Sequence, residues 1–468
     1  MPAETMPDSA VAAREPLTLS RLLTWALVAL VGAVLVDMFF EGWVEALVGT
    51  TRVGYAGRVL LTEAAWPKLV KNVLFLALAG LTVLKVALDR RWRDFTTGAD
   101  IALAVLIVVL IVAGLINGSG PALIAQALYV YLRGVIVFYA LRAALPPWRW
   151  MRPVLLVVGG VIALNVVLAL AQMVIGPPIY RAFGWVDLTW ANTYRAQGLL
   201  NHPNHLGHVL ALAILGVLAW SRKRVDWRWW TVLGVLCLAM SATQSRESIV
   251  ATCTTAAVLW LLGGLTARRM IAAVALLAVF TGAQIGLRPD NRAEWGRRLD
   301  GVVAALRFPT GAETPRTPSS SPASPGPSVL PSPSGTGSAA TGKPTGPTSP
   351  APVSPAPSAS PTVPAREIRV LYFQQGARLL AHRPVLGYGI GQFGGIVAQK
   401  NDADWNLNPA FGPGGFDRHG FQAQQVDSFW LHLVVEAGLL GLLAYLVWLV
   451  LLAAPMARRT RRFGAGGE

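Results

Sequence analysis

This sequence predicts an all-α polytopic membrane protein with about ten transmembrane helices, and three observations predict it. The chain is 54% hydrophobic and only 14% charged, with a mean hydropathy of +0.49, whereas a soluble domain is nearer one-quarter charged. Its apolar residues fall in runs that reach, or nearly reach, the length needed to cross ~30 Å of hydrocarbon as helices. Five clusters of its basic residues stand beside those runs, in every second loop.

The runs cover about 22–40, 70–88, 101–116, 123–145, 154–175, 206–220, 229–243, 248–265, 270–287 and 428–454. The shortest is 229–243. The polar segment 1–21 carries no small-residue cleavage site after the first apolar run, so Leu22–Phe40 reads as a retained span and not a signal peptide.

Orientation follows from charge. Arg90, Arg91 and Arg93 follow the second span, and Arg142, Arg149 and Arg152 surround the link from the fourth to the fifth. Arg222, Lys223, Arg224 and Arg228 follow the sixth, Arg268 and Arg269 the eighth, and Arg458, Arg459, Arg461 and Arg462 the last. Such alternation puts both termini, including the basic tail 455–468, in the cytoplasm of a protein of the cytoplasmic (inner) membrane. The net charge of +16 is thereby explained without nucleic acid, for which no basic strip with interleaved aromatics exists. Cys237 and Cys253 lie inside spans, without disulfide or zinc spacing, and read as small apolar residues.

The nine-helix membrane domain 22–287 is then followed by one large extracytoplasmic loop, 288–427, and a last helix, 428–454. Within that loop, about 309–364 is almost entirely Pro, Ser, Thr, Gly and Ala. Such a stretch has too little apolar surface to offset its chain entropy and is expected to be a disordered insert.

Four polar constellations share the non-cytoplasmic face. The first runs from Arg195 through Asn201-His-Pro-Asn204-His205 into the sixth span. A guanidinium above a membrane helix suits a lipid phosphate, which it binds in a two-pronged fashion, or simply the headgroups. His202, His205 and His208 are spaced by three, but no carboxylate or cysteine lies close in sequence to complete a metal site. They are expected to stabilise the turn or face substrate, and no metal or cofactor is expected. The second is the hairpin Thr243-Gln-Ser245-Arg246-Glu247-Ser248, where an arginine at the membrane edge needs an anion. Glu247 or a lipid (di)phosphate would serve.

The third, Arg366 to Phe393, is a helical pattern ending in Gly387-Tyr-Gly389-Ile-Gly391-Gln-Phe393. These glycines follow a helix rather than a strand, so a dinucleotide loop is excluded on context. A turn that seats the outer loop against the membrane domain is expected. The fourth is Asp427-Ser428 at the head of the last span, with Glu436-Ala-Gly438 downstream. Asp427 suits a general base for a sugar hydroxyl, a helix N-cap, or both. Glu436 is expected to be structural, paired with His432 or an inner arginine.

Together these blocks resemble the O-antigen ligase and polymerase superfamily of polytopic bacterial glycosyltransferases. In that family an arginine precedes a Pro-Asn turn, here Arg195, Pro203 and Asn204, and a Ser-Arg hairpin follows, here Ser245-Arg246. A glycine-rich turn, here Gly387 to Phe393, precedes a polar pair and Glu-x-Gly, here Asp427-Ser428 and Glu436-Ala-Gly438. The ligases usually carry His-Asn at the polar pair, so an aspartate stands in the histidine's place. The resemblance implies a metal-independent, inverting transfer of a glycan from a polyprenyl-(di)phosphate-linked oligosaccharide to a glycan or surface acceptor. Arg195 and Arg246 would hold phosphate, Asp427 would be the base, and Asn204, His205 and Ser428 would position substrate.

Two rival classes remain. A flippase or small-anion carrier would show mid-membrane charges, broken helices and repeated halves. A surface scaffold would use the Pro/Ser segment to span cell wall. Deleting 309–364 separates the scaffold from the enzyme: glycan transfer by the deletion variant, measured on membranes, is expected to persist. Its loss at normal protein level would favour the scaffold.

Overall fold

Each of the ten predicted spans is helical in the computed structural model of the protein. The structure describes residues 18–53, 59–62, 65–185, 188–220, 226–289, 292–293, 295–296, 300, 368–412, 415–416, 426 and 428–465. The insert 309–364, most of the tail 1–21 and Asp427 lie outside the described residues. Residues Met1–Trp295 and Tyr372–Glu468 form one compact unit, and Gly296–Leu371 a second, almost all of it outside the described residues.

In the first unit, α1 (Leu19–Val48), α2 (Ala65–Leu88), α3 (Gly98–Ile116), α4 (Pro121–Ala144) and α5 (Trp148–Ile175) come first. Two one-turn helices, α6 (Pro177–Ala182) and α7 (Thr189–Asn192), precede α8 (Pro203–Trp220), α9 (Trp227–Thr243), α10 (Arg246–Leu261) and α11 (Ala267–Leu287). After the insert come α12 (Ile368–His382), α13 (Ile396–Asn401) and the last long helix, α14 (Phe429–Ala465). Among the described residues, seven helices are long and apolar enough to cross a membrane: α1 to α5, α11 and α14 as far as Pro455. The protein is therefore a multi-pass membrane protein. Large apolar side chains such as Leu69, Val73, Leu76 and Val83 on α2 are exposed, as a lipid solvent allows.

The other three helices, α8, α9 and α10, are shorter. At 1.5 Å per residue, the 17 residues of α9 reach only ~25 Å. Leu206, Leu210, Ile214 and Leu218 form an i, i+4 stripe on α8 and are fully buried in the core that α8 shares with α9 and α10. A second core joins α3, α4 and α14 through residues such as Leu106, Ala113, Leu433 and Ala437.

One departure from an all-helical chain lies between α1 and α2. There Thr50–Val53 and Val59–Thr62 pair antiparallel as a two-stranded hairpin. The expected loop 41–69 is shortened on both sides because α1 continues to Val48 and α2 begins at Ala65. The hairpin uses β-branched and aliphatic residues, which favour a pleated strand.

Polar side chains tie helix ends together at one face. Lys85 donates to Ser20 and to Asp89. Asp100 accepts from Arg142 at 2.5 and 3.0 Å, and Arg91 donates to the Ala143 carbonyl. So the start of α1, the end of α2, the start of α3 and the end of α4 meet at the face that carries the Arg91 and Arg142 clusters. At the opposite end of α3, Arg383 donates to Asn117 at 2.6 Å, which fixes the chain after α12 to that other face.

The last helix is broken where Gly438 takes φ 65° and ψ −166°. The groups that the break releases are bonded by the chain after α12. Tyr388 N donates to Val435 O and Gly389 N to Glu436 O, both at 2.9 Å. In return Leu439 N donates to Pro384 O at 2.8 Å and Leu440 N to Val385 O at 3.2 Å. A Cβ on Gly438 would run into the Val385 carbonyl. Gly438→Ala is therefore expected to lose about 1–3 kcal/mol from backbone strain alone, before the clash is counted. Gly80→Ala, on α2 with nothing within 4 Å of its Cβ, should be neutral or mildly stabilising. Thermal unfolding of the two purified variants checks this contrast.

Candidate functional site

The first half of the site is an irregular segment, Thr193 to His202, between α7 and α8. Non-helical backbone inside a helical membrane domain needs partners for its N–H and C=O groups. Asn165 and Gln172, buried two turns apart on α5, supply them. Gln172 Oε1 accepts from Gln197 N at 3.0 Å and Gly198 N at 2.8 Å, and its amide donates back to Gly198 O at 3.0 Å. Asn165 Oδ1 accepts from Leu199 N at 2.8 Å. Gly198 has φ 63°, and a Cβ there would collide with Asn165. From α6, the buried Tyr180 hydroxyl donates to Arg195 O at 2.6 Å. Burial pushes this phenol above its ordinary range, which keeps it a donor.

This clamp places Arg195. Its Nε donates to Thr243 O at 3.2 Å, its Nη2 to Asn204 Oδ1 at 3.0 Å, and its guanidinium lies over the Trp190 ring at 4.9 Å. Ala196 N donates to Ala242 O at 2.9 Å and splices the segment onto the end of α9. At that end Gln244 turns left-handed with φ 51°, and Ser245 caps α10 by accepting from Ser248 N at 3.4 Å. Arg246 is the first residue of α10, half-buried, with its guanidinium 4.8 Å from the Trp295 ring. Gly207 on α8 lies against this cap, where a Cβ would sit 2.5 Å from Ser248 Oγ. The structure thus brings Arg195, Asn204 and the Ser245-Arg246 hairpin into one packed group. The N-termini of α8 and α10 open there, adding partial positive charge to the two guanidinium groups. The chemistry available is the binding of an anion and the stabilisation of charge on a leaving group.

The histidines are turn residues. His202 Nδ1 accepts from Asn204 N at 3.0 Å, and its ring packs on Trp190. His205, exposed, pairs through Nδ1 with Asn201 Oδ1 at 2.8 Å, and His208 Nδ1 donates to Asn204 O at 2.6 Å. Asn201 in turn packs against Gly42 of α1, with a Cβ on Gly42 placed 2.8 Å from the Asn201 Cβ.

Several members of this group were not foreseen from the sequence. Arg288, just past α11, lies 4.4 Å over the Tyr194 ring and donates to Met173 O. Gln244 donates to Tyr194 O at 3.4 Å, so Arg288 joins the same neighbourhood. Asn165 and Gln172 were legible in principle, as two amides seven residues apart in an apolar run. Trp190 and Trp295 carry no comparable signal.

The second half of the site surrounds the head of α14. Asp427 lies outside the described residues. The helix cap expected of it is made by Ser428, whose hydroxyl accepts from Leu431 N at 3.3 Å. Glu436 is fully buried, but its expected pairing is corrected. It accepts from the Tyr131 hydroxyl at 2.6 Å and from Phe393 N at 3.0 Å, while His432 bonds elsewhere. The glycine-rich turn is seated as expected, on Glu436 and the broken turn of α14. Gln392 adds a bond to Ser119 at 2.8 Å.

Replacing Gln172 by Leu leaves the Gln197 and Gly198 N–H groups buried without acceptors. Each such loss costs about 1–3 kcal/mol. Gln172→Leu is expected to lower the unfolding temperature and to weaken anion binding, whereas Gln172→Glu should retain most of the acceptor geometry. Unfolding temperature and phosphate-analogue binding measured on both variants check this.

Residues 231–446 match the protein-family model described as O-antigen ligase, Wzy_C. The match takes in Arg246, the glycine-rich turn, Asp427, Ser428 and Glu436, whereas Arg195, Asn204 and His205 precede it. Comparison with curated proteins and with solved structures gives no match. The region from the hairpin that carries Arg246 to the broken helix that carries Glu436 is thus the part of the chain that is similar to the O-antigen ligase family.

Proposed function

We propose that this protein is a ligase or polymerase of envelope glycans or exopolysaccharide, acting on the outer face of the cytoplasmic membrane. It moves a glycan from a polyprenyl-(di)phosphate carrier to a glycan or surface acceptor. In this reading all ten long helices cross the membrane, and both termini are cytoplasmic. The observation that carries the proposal is the Arg195 guanidinium bonded to the Thr243 carbonyl, three residues before Arg246 and inside the O-antigen ligase region at that end. That bond gathers two cations and two helix N-termini at one place, as departure of a phosphate from an anomeric carbon demands.

Arg195 and Arg246 hold the carrier phosphates. Asn204 orients Arg195 and, with His205 and Ser428, positions substrate. Asp427 removes the proton from the acceptor hydroxyl as it attacks the anomeric carbon. The glycosidic bond forms as the carbon–oxygen bond to phosphate breaks, with inversion, and the leaving electrons stay on the carrier phosphate. No metal has a role in this scheme.

A carrier function is favoured by two features, the break in α14 and the ionisable residues Glu436 and Arg133 along the spans. Yet the Val435 and Glu436 carbonyls and the Leu439 and Leu440 amides released by the break are bonded by residues 384–389. Those groups are therefore occupied and do not form an ion or substrate site of the kind that broken transporter helices offer.

Mass spectrometry of membrane lipids from a deletion strain carrying wild type or Asp427→Asn tests the proposal. At equal protein level, Asp427→Asn is expected to accumulate polyprenyl-linked glycan on the outer leaflet. Accumulation on the inner leaflet would point to a flippase, and no accumulation would remove Asp427 from the site.

A further inference from the structure

His432 stands one turn into α14, buried, and both of its ring nitrogens meet carbonyl oxygens. Nδ1 is 2.7 Å from Phe393 O, and Nε2 is 2.7 Å from Val426 O. Carbonyls only accept, so each nitrogen must donate, and a neutral imidazole has one N–H. Satisfying both bonds takes a proton on each nitrogen. One turn further along the same helix, Glu436 accepts from Phe393 N at 3.0 Å. The peptide unit pair at Phe393 is thus gripped at both ends: its N–H by a carboxylate, its C=O by the imidazole. Tyr131, from α4, donates to the same carboxylate, so the His432–Glu436 pair is the only element bridging α4, the glycine-rich turn and α14 among the hydrogen bonds described here.

The grip extends toward the chain before α14. Val426 gives its carbonyl to His432, while its N–H donates to Gly394 O at 2.8 Å. Gly394 and Gly395 let the backbone press onto the ring, where a Cβ would stand 3.3 and 3.1 Å from His432 Cε1. Val426 is the residue before Asp427.

We propose that His432 is a positioning residue for the transfer reaction: as a double donor it locks Val426, and so the residue that follows it, to the glycine-rich turn. This rests on the reading of Asp427 as the base. His432 touches no substrate.

The test compares His432→Phe and His432→Gln in the full-length protein, reconstituted in vesicles with a polyprenyl-diphosphate oligosaccharide. Phe keeps the ring's bulk and removes both donors, whereas Gln keeps an amide with two hydrogens. For Phe, kcat should fall about 10-fold or more, since small displacements of a reacting group reach about 100-fold, while KM for the donor stays within about 2-fold. Gln should recover part of the loss. Wild-type turnover in the Phe variant, equal loss in both variants, or a rise in KM alone would overturn the proposal. Hydrogen exchange gives a readout that needs no activity. Peptides covering 391–395 and 426–432 should lose protection in Phe and keep more of it in Gln. Should the wild type transfer no glycan, the functional reading fails while these exchange rates still decide the lock. Unchanged protection in Phe would refute it.

Discussion

Backbone polarity is the constraint on which this structure depends. A helix satisfies its own N–H and C=O groups, but a site needs irregular chain, and irregular chain in an apolar domain must find partners. The protein meets that demand twice by different means. Around Arg195 the partners are side chains: two amides on α5 and one phenol on α6 hold the segment from Arg195 to Leu199. Around Gly438 the partners are backbone: an unwound turn of α14 exchanges four hydrogen bonds with residues 384–389. In each case glycine opens the approach, Gly198 beneath Asn165 and Gly438 beneath Val385.

The two solutions suit different tasks. Side-chain clamps leave the loop's own side chains to be aimed independently, and Arg195 is aimed at Thr243 and Asn204. Its guanidinium keeps an aromatic face, Trp190, as Arg246 does with Trp295 and Arg288 with Tyr194. Stacking fixes the plane of a guanidinium while leaving edge N–H groups for an anion. Backbone exchange instead makes the glycine-rich turn part of the last helix. Glu436 and His432 complete that union by taking the N–H and C=O of Phe393.

Much of this was legible in the sequence, and the limits are physical. Hydropathy and charge located all ten helices, because lipid demands long apolar runs and the basic loops alternate. Helix ends were less legible: α1 runs eight residues beyond the expected Phe40, carrying Glu41 and Glu45, because a helix can continue past the hydrocarbon once polar partners such as Lys71 receive its charges. The hairpin at 50–62 is too short to leave a periodic signature. The Arg195 and Ser245-Arg246 blocks were readable as one face, whereas the α5 amides Asn165 and Gln172 stand out in their apolar run without any sign of what they bind. Ser428 caps α14, and its neighbour Asp427 lies outside the described residues.

The corrected partner of Glu436 bears on how such a domain divides its labour. A carboxylate buried among apolar residues suggests a cation, and the sequence offered His432 one turn back. The structure pairs Glu436 with a phenol and a backbone N–H, neither of which carries charge. His432 and Glu436 then each hydrogen-bond one side of the same residue, Phe393. A carboxylate can accept at several lone pairs, and an imidazole with two N–H groups can donate in two directions. Used together, they turn a local i, i+4 pair into a brace spanning α4, the glycine-rich turn and the chain that leads into α14. An ion pair closed on itself would have neutralised two charges and positioned nothing. Opened outward, it adds side-chain bonds to the backbone bonds that already join the glycine-rich turn to α14 and to Val426.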